Sequence, residues 1–165
     1  MVHALRQIHR ILAPQGVVAD IRPERRVHGP TRHAWLSPAG SAGLPRVYVG
    51  SSHWRGPVGV LQKTAKKLAD HRAADAAVKQ VLRRGLFTLQ AADTFEFRYY
   101  FRTLAHLDEH LAARWVETSL PLPTRRRLLT GLHGHPTFQI LVVEPTQLNV
   151  LVKTRARSRA SLASA

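Results

Sequence analysis

The chain has 165 residues, of which 44% are hydrophobic, and it contains no cysteine. This composition is typical of a globular protein with room for one domain, and it excludes a disulfide frame and a thiolate metal site. No apolar run approaches the roughly 20 residues that span a bilayer, and the first residues lack the apolar core of a secretory signal. The sequence therefore predicts a cytoplasmic protein.

The net charge is +15, from 25 Lys and Arg against 10 Asp and Glu. Such a charge attracts phosphate-rich partners. Two interpretations stay open: a basic module that binds nucleic acid or another acidic partner without catalysis, or a general compositional bias, since arginine is scattered along the whole chain. No nucleic-acid motif accompanies the densest basic runs, which are Arg125–Arg127 and the tail residues Lys153, Arg155, Arg157 and Arg159.

The start of the chain predicts a helix, a turn and a strand. Apolar residues recur at helical spacing within 3–13, and Pro14 and Gly16 end that helix in a turn. Residues 17–21 are then predicted to be a short buried strand that ends at Pro23. A helix that leads through a tight turn into an apolar strand is the αβ unit of a parallel sheet.

The middle of the chain is more mixed. Residues 22–62 are rich in Gly and Pro and predict an irregular excursion, in which 46–49 and 53–60 form a hairpin. A helix is predicted over 64–85, with Gly85 as its C-cap. Two extended segments follow, at 87–89 and 94–101.

The remainder predicts two helices and a hairpin. Thr103 caps a helix at about 104–117, and a basic helix follows at about 124–132. Two strands, 137–143 and 147–152, are joined by Glu144-Pro145-Thr146 as a predicted hairpin. Residues 154–165 have no apolar pattern and predict a disordered basic tail.

Residues 4–23, with the sequence ALRQIHRILAPQGVVADIRP, resemble a segment of class I S-adenosylmethionine-dependent methyltransferases. In that family a helix of the pattern ALREIHRVLKPGG leads into the fifth strand of a seven-stranded sheet. The family's sheet closes with antiparallel sixth and seventh strands, which the predicted hairpin fits, and LNVLVK at 148–153 is similar to the usual last strand. The stretch from FEFRYYF at 95–101 onward resembles an insertion that some members carry before the sixth strand.

The resemblance covers the later part of that fold. The family's glycine-rich cofactor loop follows its first strand, and an acidic residue after the second strand binds the ribose. Here the counterpart of the fifth strand begins at residue 17, no G-x-G occurs, and the nearest segment, Gly56-Pro57-Val58-Gly59, follows no strong strand and opens no helix. The resemblance thus implies an acceptor-side C-terminal half whose cofactor, S-adenosylmethionine, is held by residues outside this chain.

The predicted fold is therefore α/β: a partial Rossmann-like sheet with one parallel strand and a C-terminal antiparallel hairpin, covering helices and an irregular insertion, over 1–153. The predicted partners are a methyl acceptor of unknown class and either a missing N-terminal half or a second copy of the chain. A truncated gene product, marginally stable because its central strand lacks neighbours, is a further hypothesis. No residue is predicted as catalytic.

Asp20 and Arg22 are the first candidate substrate-binding residues. They sit at the carboxyl end of the predicted parallel strand, where open α/β sheets place ligands. By resemblance this edge borders the methyl-acceptor pocket. The alternative is that Asp20 bonds loop amides and Arg22 is solvated.

Glu96 and Tyr100 are the second pair of candidates, on the aromatic strand that is predicted to roof the acceptor site. Strand alternation places Phe95, Phe97 and Tyr99 on one face and Glu96, Arg98 and Tyr100 on the other. We expect Phe95 and Phe97 to be core residues.

The histidines allow a metal hypothesis that the pattern does not favour. His106 and His110 are four residues apart on a predicted helix, a spacing that can place two imidazoles on one metal. The sequence H-x-D-E-H lacks the zincin glutamate directly after the first histidine, and both residues are expected on the polar side of the helix. His133 and His135 lie in a predicted turn, where polar residues are common. We therefore predict no metal site.

Overall fold

The computed structural model describes residues 1–23, 44–51, 54 and 56–154. In the described part of the chain, no helix is both long and apolar enough to cross a membrane. The elements in chain order are α1 (Val2–Ile11), β1 (Val17–Pro23), β2 (Arg46–Gly50), β3 (Gly59–Val60), β4 (Gln62–Lys63), α2 (Ala65–Arg83), β5 (Phe87–Phe101), α3 (Leu104–Arg114), β6 (Thr118–Ser119), α4 (Leu122–Leu132) and β7 (Gln139–Lys153).

The main sheet has the strand order β1-β7-β2-β3, and β5 also pairs with β7, while β4 and β6 form a separate two-stranded sheet. β2 is antiparallel to β7, from Arg46 opposite Val143 to Gly50 opposite Gln139. β2 is also antiparallel to β3, which confirms the predicted hairpin between residues 46–49 and 53–60 in its paired part. The protein is thus a mixed α/β structure with a mostly antiparallel sheet.

The predicted parallel strand is not paired as expected. In the sheet of the described residues, β1 has β7 as its neighbour. The hydrogen bonds between the two segments show their relative direction. The Gly16 carbonyl accepts from the Lys153 amide, whereas Asp20, further along β1, accepts from Asn149, which lies earlier in β7. This is the order of an antiparallel pair. The helix–turn–strand prediction is confirmed, but the turn alone could not specify which strand β1 would meet.

The predicted C-terminal hairpin is wrong, because β7 is one strand of 15 residues. Pro145 suggested a turn, since proline cannot donate to a strand ladder. In the structure it comes two residues after Val143, the last residue in register with β2, so its missing N–H does not interrupt that ladder. The two predicted segments 87–89 and 94–101 are likewise one continuous strand, β5.

The chain divides into two compact units. The first comprises Met1–Ile21, Arg72–Asp93 and the chain from Leu148 onward, and the second comprises Arg22–His71 and Thr94–Gln147. Several elements contribute residues to both, β5 and β7 among them. The predicted tail falls on 154–165, of which all but Thr154 lies outside the described residues.

The first unit has a small core that joins α1, α2 and the strand ends. Its fully packed members are Leu5, Ala77, Val78, Val81, Phe87 and Leu151. Gly85 ends α2 at φ +65°, a left-handed conformation that glycine adopts without steric cost, which confirms the predicted C-cap. The prediction that β1 is buried is wrong, since Val17 and Ile21 are 55% and 54% exposed. β1 alternates between its two faces instead of being covered on both.

The second unit has the larger core, built from β2, β5, β7, α3 and α4. Its buried members are Val47, Leu61, Phe101, Leu107, Leu111, Leu128, Ile140 and Val142. Thr103 caps α3 as predicted, because its side chain accepts a hydrogen bond from the His106 amide at 3.1 Å. Gly59, in the segment closest to a cofactor loop, lies in β3, and a Cβ there would collide with the Thr124 side chain of α4. Close helix–strand packing therefore accounts for this glycine.

Candidate functional site

The second unit contains an open cleft of about 430 Å³, which is within the size range of small-molecule sites. It is lined by Pro23, Lys63, Lys67, Arg114, Trp115, Val116, Glu117, Thr118 and Glu144. They come from the carboxyl end of β1, from β4, α2 and β7, and from the continuous segment 114–118 that runs from the end of α3 into β6. Cleft residues that are far apart in sequence thus meet through the tertiary fold.

An ion pair between Lys63 and Glu144 forms part of the cleft wall. The Lys63 ammonium lies 3.1 Å from a Glu144 carboxylate oxygen, and the two side chains are only 4% and 10% exposed. β4 pairs with β6 so that Lys63 stands opposite Thr118, which also lines the cleft. Since two charges removed from water are costly unless they are paired, this contact fixes both side chains. The net charge of the pair is zero.

The exposed part of the lining carries unbalanced positive charge. Glu117 is paired with Lys66, whose ammonium lies 2.6 Å from a Glu117 carboxylate oxygen and 3.5 Å from an oxygen of Asp70. Lys67 and Arg114 make no ion pair with any residue in the described ranges. With Lys63 paired to Glu144, the cleft therefore presents two cations that have no acidic partner among residues 1–23, 44–51, 54 and 56–154. This arrangement favours an anionic ligand.

Trp115 of the cleft lining also belongs to an aromatic cluster with Tyr99, His110 and Phe101. The Trp115 ring meets Tyr99 edge-on at a centroid distance of 4.9 Å and His110 at 5.2 Å. His110 also contacts Phe101 at 5.2 Å. Burial raises the pKa of the Tyr99 hydroxyl, and the charge of Glu144 raises it further, so Tyr99 stays protonated. The cluster holds Trp115 in place by packing.

His110 departs from the expected solvated position. It is half-buried among these rings, and its Nε2 is buried with no hydrogen-bond partner within the described residues. Burial lowers the pKa of His110, and the charges of Arg114 and His106 lower it further. His106 is exposed, as predicted, and touches the Phe101 ring edge. Over the described ranges, no three His, Asp or Glu side chains are grouped as a metal site requires.

The candidate residues near the end of β1 fall into different units. Asp20 belongs to the first unit and accepts a hydrogen bond at 2.8 Å from the side chain of Asn149, a buried strand residue. Arg22 belongs to the second unit and has interactions of its own. Neither residue lines the cleft, which begins one residue after Arg22, at Pro23.

The predicted alternation of the aromatic strand agrees with the ring contacts. Phe95, Phe97 and Tyr99 form a continuous row of rings, with Phe95 and Phe97 centroids 5.1 Å apart. On the other face, Glu96 forms an ion pair with buried Arg46, and Tyr100 contacts Trp54 at a centroid distance of 6.1 Å. The expectation that Phe95 and Phe97 are core is wrong, because both are more than a third exposed. Glu96 and Tyr100 also lie outside the cleft lining.

The densest basic run is partly occupied by internal contacts. Arg125 makes a two-pronged ion pair with Asp108, at 2.8 and 2.7 Å. Arg127 donates from Nε to the Pro123 carbonyl at 3.2 Å. These contacts reduce the number of arginines that are free to bind a phosphate backbone.

Comparison with protein-family models, with curated proteins and with solved structures found no match to this chain.

The cleft was missed in the sequence because the segment 114–118 meets Pro23, Lys63, Lys67 and Glu144 only through the tertiary fold. Lys63, Arg114 and Glu144 have no local pattern that separates them from the many other charged residues. Trp115 was recognised as an apolar position of its helix, but not as a cleft residue. The one usable signal was the carboxyl end of β1, where a ligand site was expected and where Pro23 now opens the cleft.

Proposed function

We propose that this chain forms the acceptor-side part of an S-adenosylmethionine-dependent methyltransferase. One observation carries the proposal: two parts of the chain that resemble the family, the turn at residues 12–16 and the strand at 148–153, are joined by hydrogen bonds in the first unit.

 The amide of Lys153 donates to the Gly16 carbonyl at 2.9 Å, and its ammonium donates to the Leu12 carbonyl at 2.6 Å. The Pro-Gln-Gly turn and the LNVLVK strand therefore meet directly.

The strand neighbours support the same proposal. If β1 takes the place of the family's fifth strand, an antiparallel strand beside it is what the closing part of that sheet requires. β7 lies in that position, and β5 pairs with β7 as a second closing strand would. On this proposal β5, and not residues 137–143, takes the place of the sixth strand.

The cleft supports an acceptor-side role. If β1 is the counterpart of the family's fifth strand, its carboxyl end borders the methyl-acceptor pocket, and Pro23, the last residue of β1, lines the cleft. Methyl transfer depends mainly on holding a nucleophile in line with the methyl donor, a task for rigid walls. The paired Lys63 and the packed Trp115 are suited to that task.

The described residues do not fit a cofactor cradle. S-adenosylmethionine, when bound, supplies an electrophilic methyl group, and its binding requires a glycine-rich loop that the backbone can bring close to it. The segment closest to such a loop, residues 56–59, has no free space at Gly59, because the Thr124 side chain packs directly against that glycine. We therefore assign no step through the cofactor to this chain, and propose that a separate polypeptide or segment holds it.

The test is restoration of methyl transfer. Extract from a strain that lacks this chain is mixed with tritium-labelled S-adenosylmethionine, with and without the purified chain. We expect added chain to increase label in a discrete product, and S-adenosylhomocysteine to suppress that gain. Heat-denatured chain is the control. No gain at any amount of chain would contradict the proposal.

Calorimetric titration of the purified chain with S-adenosylmethionine tests the second part of the proposal. We expect a dissociation constant weaker than about 1 mM, near the practical limit of weak binding. Micromolar affinity would show that the cofactor site is in this chain.

A further inference from the structure

We propose that the cleft of the second unit binds a small organic anion with a flat apolar ring, and that this is the chemical class of the methyl acceptor. The assignment to an acceptor rests on the proposed function. The binding site itself does not, because it follows from the charges and walls of the cleft.

The charge of the ligand follows from the ion pairs. Glu117 and Glu144, the two acidic residues of the lining, are each bound to a lysine, at 2.6 and 3.1 Å. Lys67 and Arg114 are left without an acidic partner among the residues of the described ranges. A neutral or cationic ligand would leave both cations unpaired, whereas a carboxylate or phosphate would neutralise them.

The apolar part of the cleft lining indicates that the ligand has a flat ring. Trp115 is held edge-on against Tyr99 and His110, and it is half-buried, so part of its indole faces solvent. Val116 and Pro23 add apolar surface, and Val116 is 77% exposed. A ring packed against this wall would cover apolar area that is otherwise in contact with water.

The size of the cleft limits the ligand. A volume of about 430 Å³ holds a molecule of one or two rings with an acidic group, and not a folded polypeptide segment. The nearly buried Lys63–Glu144 pair forms part of the wall of this small cleft, so we expect a long polymer to lie across the opening instead of entering.

Two-dimensional NMR of the full chain tests this with benzoate as the probe and benzamide as its neutral counterpart. We expect benzoate to shift the Trp115 indole and Val116 amide signals with a dissociation constant of about 1 mM, and benzamide to bind at least about tenfold more weakly. Phenyl phosphate should act like benzoate. Inorganic phosphate should bind more weakly than phenyl phosphate, because it lacks the ring.

Single variants test which cations of the cleft bind the anionic group of the ligand. Lys67→Gln and Arg114→Gln should each weaken benzoate binding by about tenfold, the usual effect of losing a charge-assisted bond. Arg126→Gln, an exposed arginine outside the cleft, should leave it unchanged. Lys67→Gln and Arg114→Gln should keep the wild-type unfolding midpoint, which separates loss of binding from loss of fold.

Three results would overturn the proposal. They are no shift at Trp115 with benzoate or phenyl phosphate, benzamide binding as tight as that of benzoate, or undiminished benzoate binding by both Lys67→Gln and Arg114→Gln. Displacement of benzoate by a short oligouridylate that binds more tightly would assign the cleft to nucleic acid instead. Failure of the proposed function gives a different result. Benzoate would then still bind at Trp115 while the chain restored no methyl transfer.

Discussion

The two units of the chain are stabilised by different kinds of contact. The first unit buries one residue of α1, Leu5, and leaves Val17 and Ile21 of β1 largely exposed. The second unit has the larger core and two largely buried ion pairs, Lys63–Glu144 and Arg46–Glu96.

On our proposal, the resemblance to the methyltransferase family and the candidate ligand cleft lie mainly in different units. The family resemblance is carried mainly by the helix–turn–strand of the first unit, whereas the ligand-sized cleft belongs to the second. On our proposal, the resemblance implies a class of chemistry, whereas recognition of the acceptor depends on the charges and apolar walls of the cleft. The following predictions test the contrast.

The largest effect is expected at the buried ion pair of the second unit. Glu144→Leu leaves Lys63 charged and nearly buried, and should lower the free energy of unfolding by about 3–5 kcal/mol. The double variant Lys63→Met/Glu144→Leu should recover most of that loss, because no unpaired charge remains. Urea unfolding measures both. Glu117→Gln is the control, since its partner Lys66 is exposed, and an equal loss there would contradict the role of burial.

Core truncation compares the two units directly. Leu107 in the second unit and Leu151 in the first are both fully buried, so Leu107→Ala and Leu151→Ala should each cost about 2–5 kcal/mol. Because β5 and β7 contribute to both units, we expect one cooperative transition by fluorescence and circular dichroism. Two transitions, each moved by one variant alone, would contradict this. Exposed Leu129→Ala should change little.

A smaller effect is expected at the polar contact of the first unit. Asn149→Leu removes the donor to Asp20 inside a buried position and should cost about 1–3 kcal/mol in thermal or urea unfolding. Gln90→Leu, on an exposed part of β5, serves as the matched control. If both variants unfold like the wild type, the contact between β1 and β7 does not depend on this bond.

The smallest effect is a pH dependence at His110. Because burial lowers its pKa in the folded state, the unfolded chain takes up a proton near pH 6.5 while folded His110 stays neutral. The free energy of unfolding should therefore fall as the pH drops below about 6.5, and level off below the folded-state pKa. His110→Phe should reduce the difference between pH 8 and pH 5, measured by urea unfolding. His106→Phe, at an exposed position, should retain it.

Local signals in the sequence determined most of the helices. The spacing of Leu107 and Leu111, the cap at Thr103 and the glycine at position 85 each act within a few residues, and the structure has α3 and α2 where these signals place them. The alternation of the aromatic strand was also readable, because it follows from the geometry of any strand.

Tertiary structure alone decided strand partners, burial and the cleft. Nothing near Val17 specifies that β1 meets β7. Pro145 is typical of a turn, and only the register of β2 with β7 shows that it lies beyond the last pair of that ladder. The pairing of Lys63 with Glu144 joins residues 81 positions apart, and it decides which cations are left for a ligand. Such contacts depend on the path of the whole chain. Strands and charged side chains that are distant in sequence become neighbours only when the segments between them have folded.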